Sequence, residues 1–278
     1  MMFYSCVDNS VEKDIKQPNN KTESKKQLLP SEKLIEPLAT IEDKKTFPNG
    51  IKIQWFKKGK GPRVEDGEVY EINFKVKLTS GETIDGNYKL QRKSFPFLVG
   101  YGMQTTGFDI ALKELNEGDF AEIFIPGNLA RGERGIPGIV PPNAPNIVHI
   151  RIGKKVKPIK TVEGVKVWRL EHNAEVKDAT VTENSNVAIN YFVGTKTNPR
   201  YDNSYQRNTP FAFGMKDVSL LPGLKKAMLG MNMFDKLFIL VPANQAYGSK
   251  GYLDLVKPNE SIFFDVFVMD VDKKSVKY

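Results

Sequence analysis

An α+β fold in two tandem copies, each an antiparallel β-sheet wrapped around one short helix, is predicted by three features of this 278-residue chain. The sequence from Phe47 onward repeats itself once, apolar and polar residues alternate along several segments, and each copy carries a single helical stripe. The repeat comes first. Gly50-Ile51-Lys52-Ile53 is echoed by Gly164-Val165-Lys166-Val167, Phe74 by Tyr191, Asp85 by Asp202, Phe95 by Phe211, Gly107 by Gly223 and Gly132 by Gly248. A near-constant offset sustained over about a hundred residues is a duplicated domain rather than a solenoid of short units.

The strands follow from alternation. Tyr70, Ile72, Phe74, Val76 and Leu78 are interleaved with Glu71, Asn73, Lys75 and Lys77, the period of a half-buried strand. Val187, Ile189, Tyr191 and Val193 repeat it in the second copy, and Ala121–Ile125, Lys236–Val241 and Ser261–Asp270 supply further strands between Gly- and Pro-rich loops. The helices follow from the 3.6-residue stripe: Phe108, Ala111, Leu112 and Leu115 in copy one, Leu224, Ala227, Met228 and Met231 in copy two. A sheet whose apolar face is covered by one helix is a compact α+β solution. The domains are read as 46–157 and 160–278, parted near Val156–Thr161 by Lys157-Pro158-Ile159-Lys160.

Residues 1–45 have no periodicity, and their lysines and acids balance, so this segment reads as a disordered polar tail. One helical turn at Leu34, Ile35 and Leu38 is its only structural signal. It opens on Met1-Met2-Phe3-Tyr4-Ser5-Cys6, a short apolar run ending in the sole cysteine. The ending resembles that of bacterial lipoprotein signals, which makes Cys6 a lipid-attachment residue, residues 7–45 a membrane tether and the cell envelope or periplasm the location. The charged and full apolar parts of such a signal are absent. The other reading is a frayed terminus with an incidental thiol on a cytoplasmic protein.

Composition removes several function classes. A single cysteine excludes an internal disulfide, and with only His149 and His172 beside it a structural zinc site and Ser-His or Cys-His catalysis are poorly supplied; no metal is expected. The net charge of +8 is spread over both copies with no block of five like charges, so no nucleic-acid partner is expected. Gly100-Tyr101-Gly102 lacks the Lys-Ser/Thr ending of a phosphate-binding loop, and the strand aromatics are not interleaved with Lys and Arg as an RNA-binding sheet requires.

The segments YDNSYQRNTPFAF (Tyr201 to Phe213), LLPGLKKAMLGM (Leu220 to Met231), AYG (Ala246 to Gly248) and SIFFDV (Ser261 to Val266) in copy two carry a family resemblance. In copy one FPFLVG (Phe95 to Gly100), TGF (Thr106 to Phe108) and GIPGIVPPNAPNIV (Gly135 to Val148) do the same. In order and spacing they resemble the FKBP family of peptidyl-prolyl cis-trans isomerases. The resemblance implies a tandem pair of FKBP-like domains acting, without a cofactor, on unfolded or proline-containing polypeptides. Rotating an X-Pro bond means crossing a barrier of ~18–20 kcal/mol set by amide resonance. The twisted amide is less polarised than the planar one, so an apolar, water-poor pocket with a few aimed hydrogen bonds favours it. The scarcity of histidine fits that chemistry.

For copy two the resemblance implies a catalytic set of Tyr191, Asp202, Phe211, Leu221, Tyr247 and Phe264. Substrate-binding positions are Tyr201, Leu220, Leu224, Tyr252 and Val256. It makes Leu224 the floor beneath the proline ring and Phe211, Tyr201 and Phe264 the walls. The Leu221 amide and Tyr247 hydroxyl bond the ligand's carbonyls, and Asp202, held by Tyr191, faces the twisting amide. The family usually has Trp at the floor, and Leu253-Asp254-Leu255-Val256-Lys257-Pro258 departs from its Pro-Gly-Ile-Ile-Pro-Pro rim. Read from the residues alone, Phe213 and Phe238 are core. Asp202 could instead cap a turn together with Asn203.

Copy one keeps Asp85, Phe95 and Phe97, with Phe108 as its floor aromatic. Its Phe74 stands where copy two has Tyr191, Arg131 where it has Tyr247, Gln104 and Thr105 for Leu220 and Leu221, and Ile84 and Val148 for Tyr201 and Phe264. A more polar, less enclosed site is expected there, with isomerase activity mainly in copy two and Arg131 inviting carboxylate-bearing segments. The alternative from another class is a non-catalytic peptide-binding or chaperone module that uses the same grooves.

Overall fold

The computed structural model describes residues 36–87, 94–172 and 179–273. Cys6 and the turn at Leu34 and Ile35 lie outside the described residues. Seven strands form the first sheet: β1 (Asp43–Thr46), β2 (Lys52–Lys57), β3 (Val69–Leu78), β4 (Thr83–Gly86), β5 (Phe95–Leu98), β6 (Phe120–Ile125) and β7 (Asn146–Val156). Their order is β1-β2-β6-β7-β3-β4, with β5 also on β3. The second sheet holds β8 (Lys160–Val162), β9 (Val165–Glu171), β10 (Ser185–Gly194), β11 (Asp202–Asn203), β12 (Phe211–Gly214), β13 (Lys236–Val241) and β14 (Ile262–Lys273). Its order, β8-β9-β13-β14-β10-β11 with β12 on β10, is that of the first sheet strand for strand. The duplicated sequence folds twice into one topology.

In the second sheet the central ladder is β10 against β14, antiparallel, with Tyr191 opposite Val266 and Val193 opposite Phe264. The register shifts between Ala188, opposite Asp270, and Ile189, opposite Val268, so the extra residue Met269 bulges β14, which sharpens the local twist. Val187, Ile189, Tyr191 and Val193 alternate onto the buried face, as the sequence predicts. The helix α3 (Pro222–Met228) buries Leu224, Ala227 and Met228 against that face; α1 (Thr106–Leu112) buries Phe108, Ala111 and Leu112 in the first copy. Burying each of the Leu, Met and Phe side chains among them stabilises by roughly 1.5–3 kcal/mol.

Both helices stop short of their sequence stripes. Met231 and Leu115 are buried, yet lie beyond the last helical turn. In copy two the cause is local: Leu229 is extended and Gly230 takes φ 81°, a left-handed position that ends helices. A further single turn, α2 (Ser204–Arg207), has no apolar stripe to announce it and is held by its cap, the Asn203 side chain accepting from the Gln206 amide at 2.8 Å. Strand β1 takes in Asp43–Lys45, residues assigned above to the tail. It is exposed throughout and pairs Asp43 with Trp55 through Thr46 with Lys52. An edge strand held by ladder bonds and by an exposed ion pair of Asp43 with Lys58 leaves no hydrophobic pattern to read.

Each copy also repeats a buried turn. Asp235 is fully buried; it accepts from the Asn232 amide at 2.9 Å and meets His172 Nδ1 at 2.7 Å and Arg169 Nε at 3.1 Å. Asp119 accepts from Asn116 and Gly59 amides at 2.9 and 2.6 Å. Among the described residues no helix is long and apolar enough to cross a membrane. No group of three or more His, Cys, Asp or Glu among them is placed to hold a metal ion. Removing a buried carboxylate strands its donors, so Asp235→Ala should cost about 3 kcal/mol. Urea denaturation of the full chain measures this, and a loss under about 1 kcal/mol would show that water replaces the carboxylate.

Candidate functional site

The site in copy two is assembled on the inner face of β10 and β14 and on the loops beside them. Tyr191 projects inward from β10, and its ring meets Phe211 of β12 edge-on at 6.1 Å and Phe264 of β14 at 6.4 Å. Strand β11 pairs with β10 so that Asp202 lies opposite Val193. There the Tyr191 hydroxyl donates to Asp202 Oδ2. Asp202 therefore pairs with the phenol, while the turn cap is supplied by Asn203.

Arg207 completes this group and was not singled out from the sequence. It closes α2, donates from Nη1 to Asp202 Oδ1, and from Nη2 to the Tyr191 hydroxyl at 2.8 Å. The signal available was an arginine five residues after the acid, inside a segment too short to show a helix period. Burial works to raise the Asp202 carboxyl, but the hydrogen bonds from Tyr191 and Arg207, with the guanidinium charge, outweigh it and hold the group below its ordinary value.

The apolar part of the site belongs to the same core as Tyr191. Leu224 and Leu220 are buried on and before α3, Phe264 and Val256 are buried, and Tyr201, Leu221 and Tyr247 are half-buried against the same core. Phe211 and Tyr252 are exposed at the edge. Leu221 caps α3, so its N–H precedes the intrahelical ladder. Gly223 sits in the first turn of α3 where a Cβ would fall 2.2 Å from Val241, so the helix start lies close on β13. Burial raises the phenols of Tyr191, Tyr201 and Tyr247, which keeps all three as neutral donors at physiological pH.

The altered rim keeps its closure. Tyr252 and Val256 exchange backbone bonds of 2.9 and 3.1 Å, as Ile136 and Val140 do in copy one at 2.8 Å each. Tyr252 lies flat on Tyr247, ring centroids 4.6 Å apart. The cost sits at the tip, where exposed Leu253 takes φ 47°.

Copy one distributes its residues differently. Phe74 meets Phe95 edge-on at 6.4 Å, and Phe97 meets Phe108 at 5.2 Å. Phe74 has no hydroxyl, and Asp85 accepts from the Gly86 amide at 2.8 Å. Ile84, Thr105 and Val148 are buried. Arg131 is half-buried; burial lowers its guanidinium, and Asp85 is the charged neighbour that opposes the shift. The structure thus sets a carboxylate of the protein itself beside Arg131, the residue expected to invite acidic segments.

Two antiparallel sheets of one topology, each closed by a short helix, with an acid held among aromatic rings in the second, define the class. The chain belongs to the family of FKBP-type peptidyl-prolyl cis-trans isomerases, whose model matches residues 61–152 and 177–269. Among curated relatives, peptidyl-prolyl cis-trans isomerase FKBP10 of Mus musculus is 25% identical over 209 residues, 75% of this chain and 35% of that protein. The FKBP9 protein of Rattus norvegicus is 25% identical over 216 residues, 75% and 36% of the two chains. FK506-binding protein 4 of Rhizopus delemar reaches 33% identity over 106 residues, 38% of this chain and 27% of that protein. The chain spans little more than a third of the length of the first two relatives. Similar solved structures include the three FKBP domains of wheat FKBP73 (TM-score 0.40, 20% identity, 82% of this chain and 97% of that one). FkpA from Escherichia coli is another (TM-score 0.37, 26% identity, 45% and 55%).

The depressed carboxyl has a pH consequence. A carboxylate whose folded value lies below its ordinary 3.8 contributes fully above that value and loses its pairing as the pH falls through the folded value. Proline-peptide turnover should therefore be flat from about pH 5 to 8 and decline only in acid. Tyr191→Phe should move that acid limb upward and lower kcat/KM about tenfold, the worth of a hydrogen bond to a charged group. A pH profile of the two proteins checks both; an unmoved limb would detach Tyr191 from the carboxylate.

Proposed function

We propose that this chain catalyses cis-trans isomerisation of X-Pro bonds in unfolded or surface-exposed polypeptides, and that copy two does most of it. The observation that carries the proposal is the Tyr191–Asp202–Arg207 group set against Phe211 and Phe264. The proline ring rests on Leu224 between Phe211, Tyr201 and Phe264, out of water. The Leu221 N–H and the Tyr247 hydroxyl hold carbonyls of the substrate, fixing the chain on either side of the bond that turns. Asp202 faces that bond, kept ionised and oriented by its two donors. No bond is made or broken; the pocket lowers the barrier by preferring the twisted, less polarised amide. Leu224, smaller than the family's usual Trp, leaves room above the floor.

Copy one is proposed as a folded partner with weak activity or none. Phe74 cannot orient Asp85 through a hydroxyl, and Arg131 places a guanidinium where copy two has the Tyr247 phenol. Each lost transition-state hydrogen bond is worth roughly 1–3 kcal/mol, so two losses reduce the rate from about thirtyfold to more than ten-thousandfold.

The two copies can be tested inside the full chain. On an Ala-Leu-Pro-Phe type peptide, Asp202→Ala should remove most of the activity and Asp85→Ala little. Equal losses would contradict the assignment to copy two. Wild-type protein that suppresses aggregation of an unfolded client while failing to speed the peptide would favour the non-catalytic binding module.

A further inference from the structure

Strands β8 and β9 are joined by a two-residue turn, Glu163 and Gly164, both with positive φ (47° and 81°), the geometry that matches hairpin twist. The turn touches two of the elements that carry substrate handles in the proposed site. Gly164 abuts Pro242, the residue that opens the 3₁₀ turn Ala243–Gln245; an added Cβ would lie 3.2 Å from its ring. Glu163 Oε2 accepts from Lys226 Nζ of α3 at 2.6 Å and from Gln245 Nε2 at 3.0 Å. Lys226 Nζ donates also to Gln245 Oε1 at 2.8 Å, which closes a three-membered ring of polar contacts. From β8, Lys160 Nζ donates to the carbonyls of Lys226 and Leu229 at 2.5 and 2.8 Å, satisfying acceptors that the end of α3 leaves open.

Leu221 caps the start of α3 and Tyr247 follows Gln245 by two residues. We infer that the β8–β9 hairpin is a strut that sets the spacing between the Leu221 amide and the Tyr247 hydroxyl, with Glu163 and Lys226 as positioning residues. This rests on the isomerase reading of copy two. The strut explains why charged groups with little burial to stabilise them are tied together here. The Lys226 hydrogen bond, aided by its charge, holds the Glu163 carboxyl below its usual value, so the ring is intact at neutral pH. None of the three side chains reaches the reacting amide. Their effect is on where the handles stand: a shift of α3 against the Gln245 turn changes the distance between two hydrogen-bonding groups that a substrate must meet together.

The test uses the full chain with Glu163→Ala, Lys226→Met and Lys226→Arg. Glu163→Ala and Lys226→Met should raise KM for a proline peptide about three- to tenfold, a shift of order one hydrogen bond, and leave kcat nearly unchanged. The melting temperature should stay within ~2 °C of wild type, and Lys226→Arg should restore most of the loss. In a Tyr247→Phe background Glu163→Ala should cost less than it does alone, since its target is already gone. NMR gives a readout free of turnover: the Tyr247 ring and Leu221 amide resonances should move in Glu163→Ala while the Tyr191 ring stays. Unmoved resonances, or a fall in kcat with KM unchanged, would overturn the strut. If the wild type does not speed the peptide at all, the isomerase reading fails, and the resonances alone still decide whether the strut holds the handles.

Discussion

Asp202 stands beside the Tyr191 ring with its side chain 37% exposed, and two donors are needed to hold it ionised and in one orientation. Tyr191 supplies one donor from the central strand β10. The other must come from the chain beyond Asp202. The chain turns back within one short helix, capped by Asn203 and closed by the left-handed Asn208, so that Arg207 returns to the same carboxylate. The pairing of β11 with β10 fixes where the acid stands. A strand edge, a cap and a single-turn helix thus serve one ionised group, and the same two donors that offset its partial burial keep it charged and fixed beside Tyr191.

The two copies separate what a fold requires from what a site requires. Strand order, the buried acid of the turn before β6 and β13, and the bridge that closes the long loop are common to both. These features satisfy backbone groups, and backbone groups are the same in any sequence. The side chains facing the site are free of that constraint and have diverged: Phe74 for Tyr191, Arg131 for Tyr247, Gln104 and Thr105 for two leucines. The rim shows the separation most clearly, because Tyr252 and Val256 keep the bridge of Ile136 and Val140 although the tip between them has changed and carries Leu253 at a positive φ.

Alternation along β3 and β10, the repeat, and the apolar stripes of α1 and α3 were all legible in the sequence, because burial on one face imposes a period on the residues themselves. So was the grouping of Tyr191 with Asp202, Phe211 and Phe264, through motifs whose order survives in copy two. Strand β1 was not, since an exposed edge strand needs no apolar pattern, and neither were the true ends of the helices, which Leu229 and Gly230 settle through backbone conformation in copy two. Arg207 and the ring of Glu163, Lys226 and Gln245 belong to the tertiary structure. Glu163 lies 63 residues from Lys226 and 82 from Gln245. A hydrophobic period is written in neighbouring residues, whereas a polar pair exists only once strand register and loop closure have brought its two ends together.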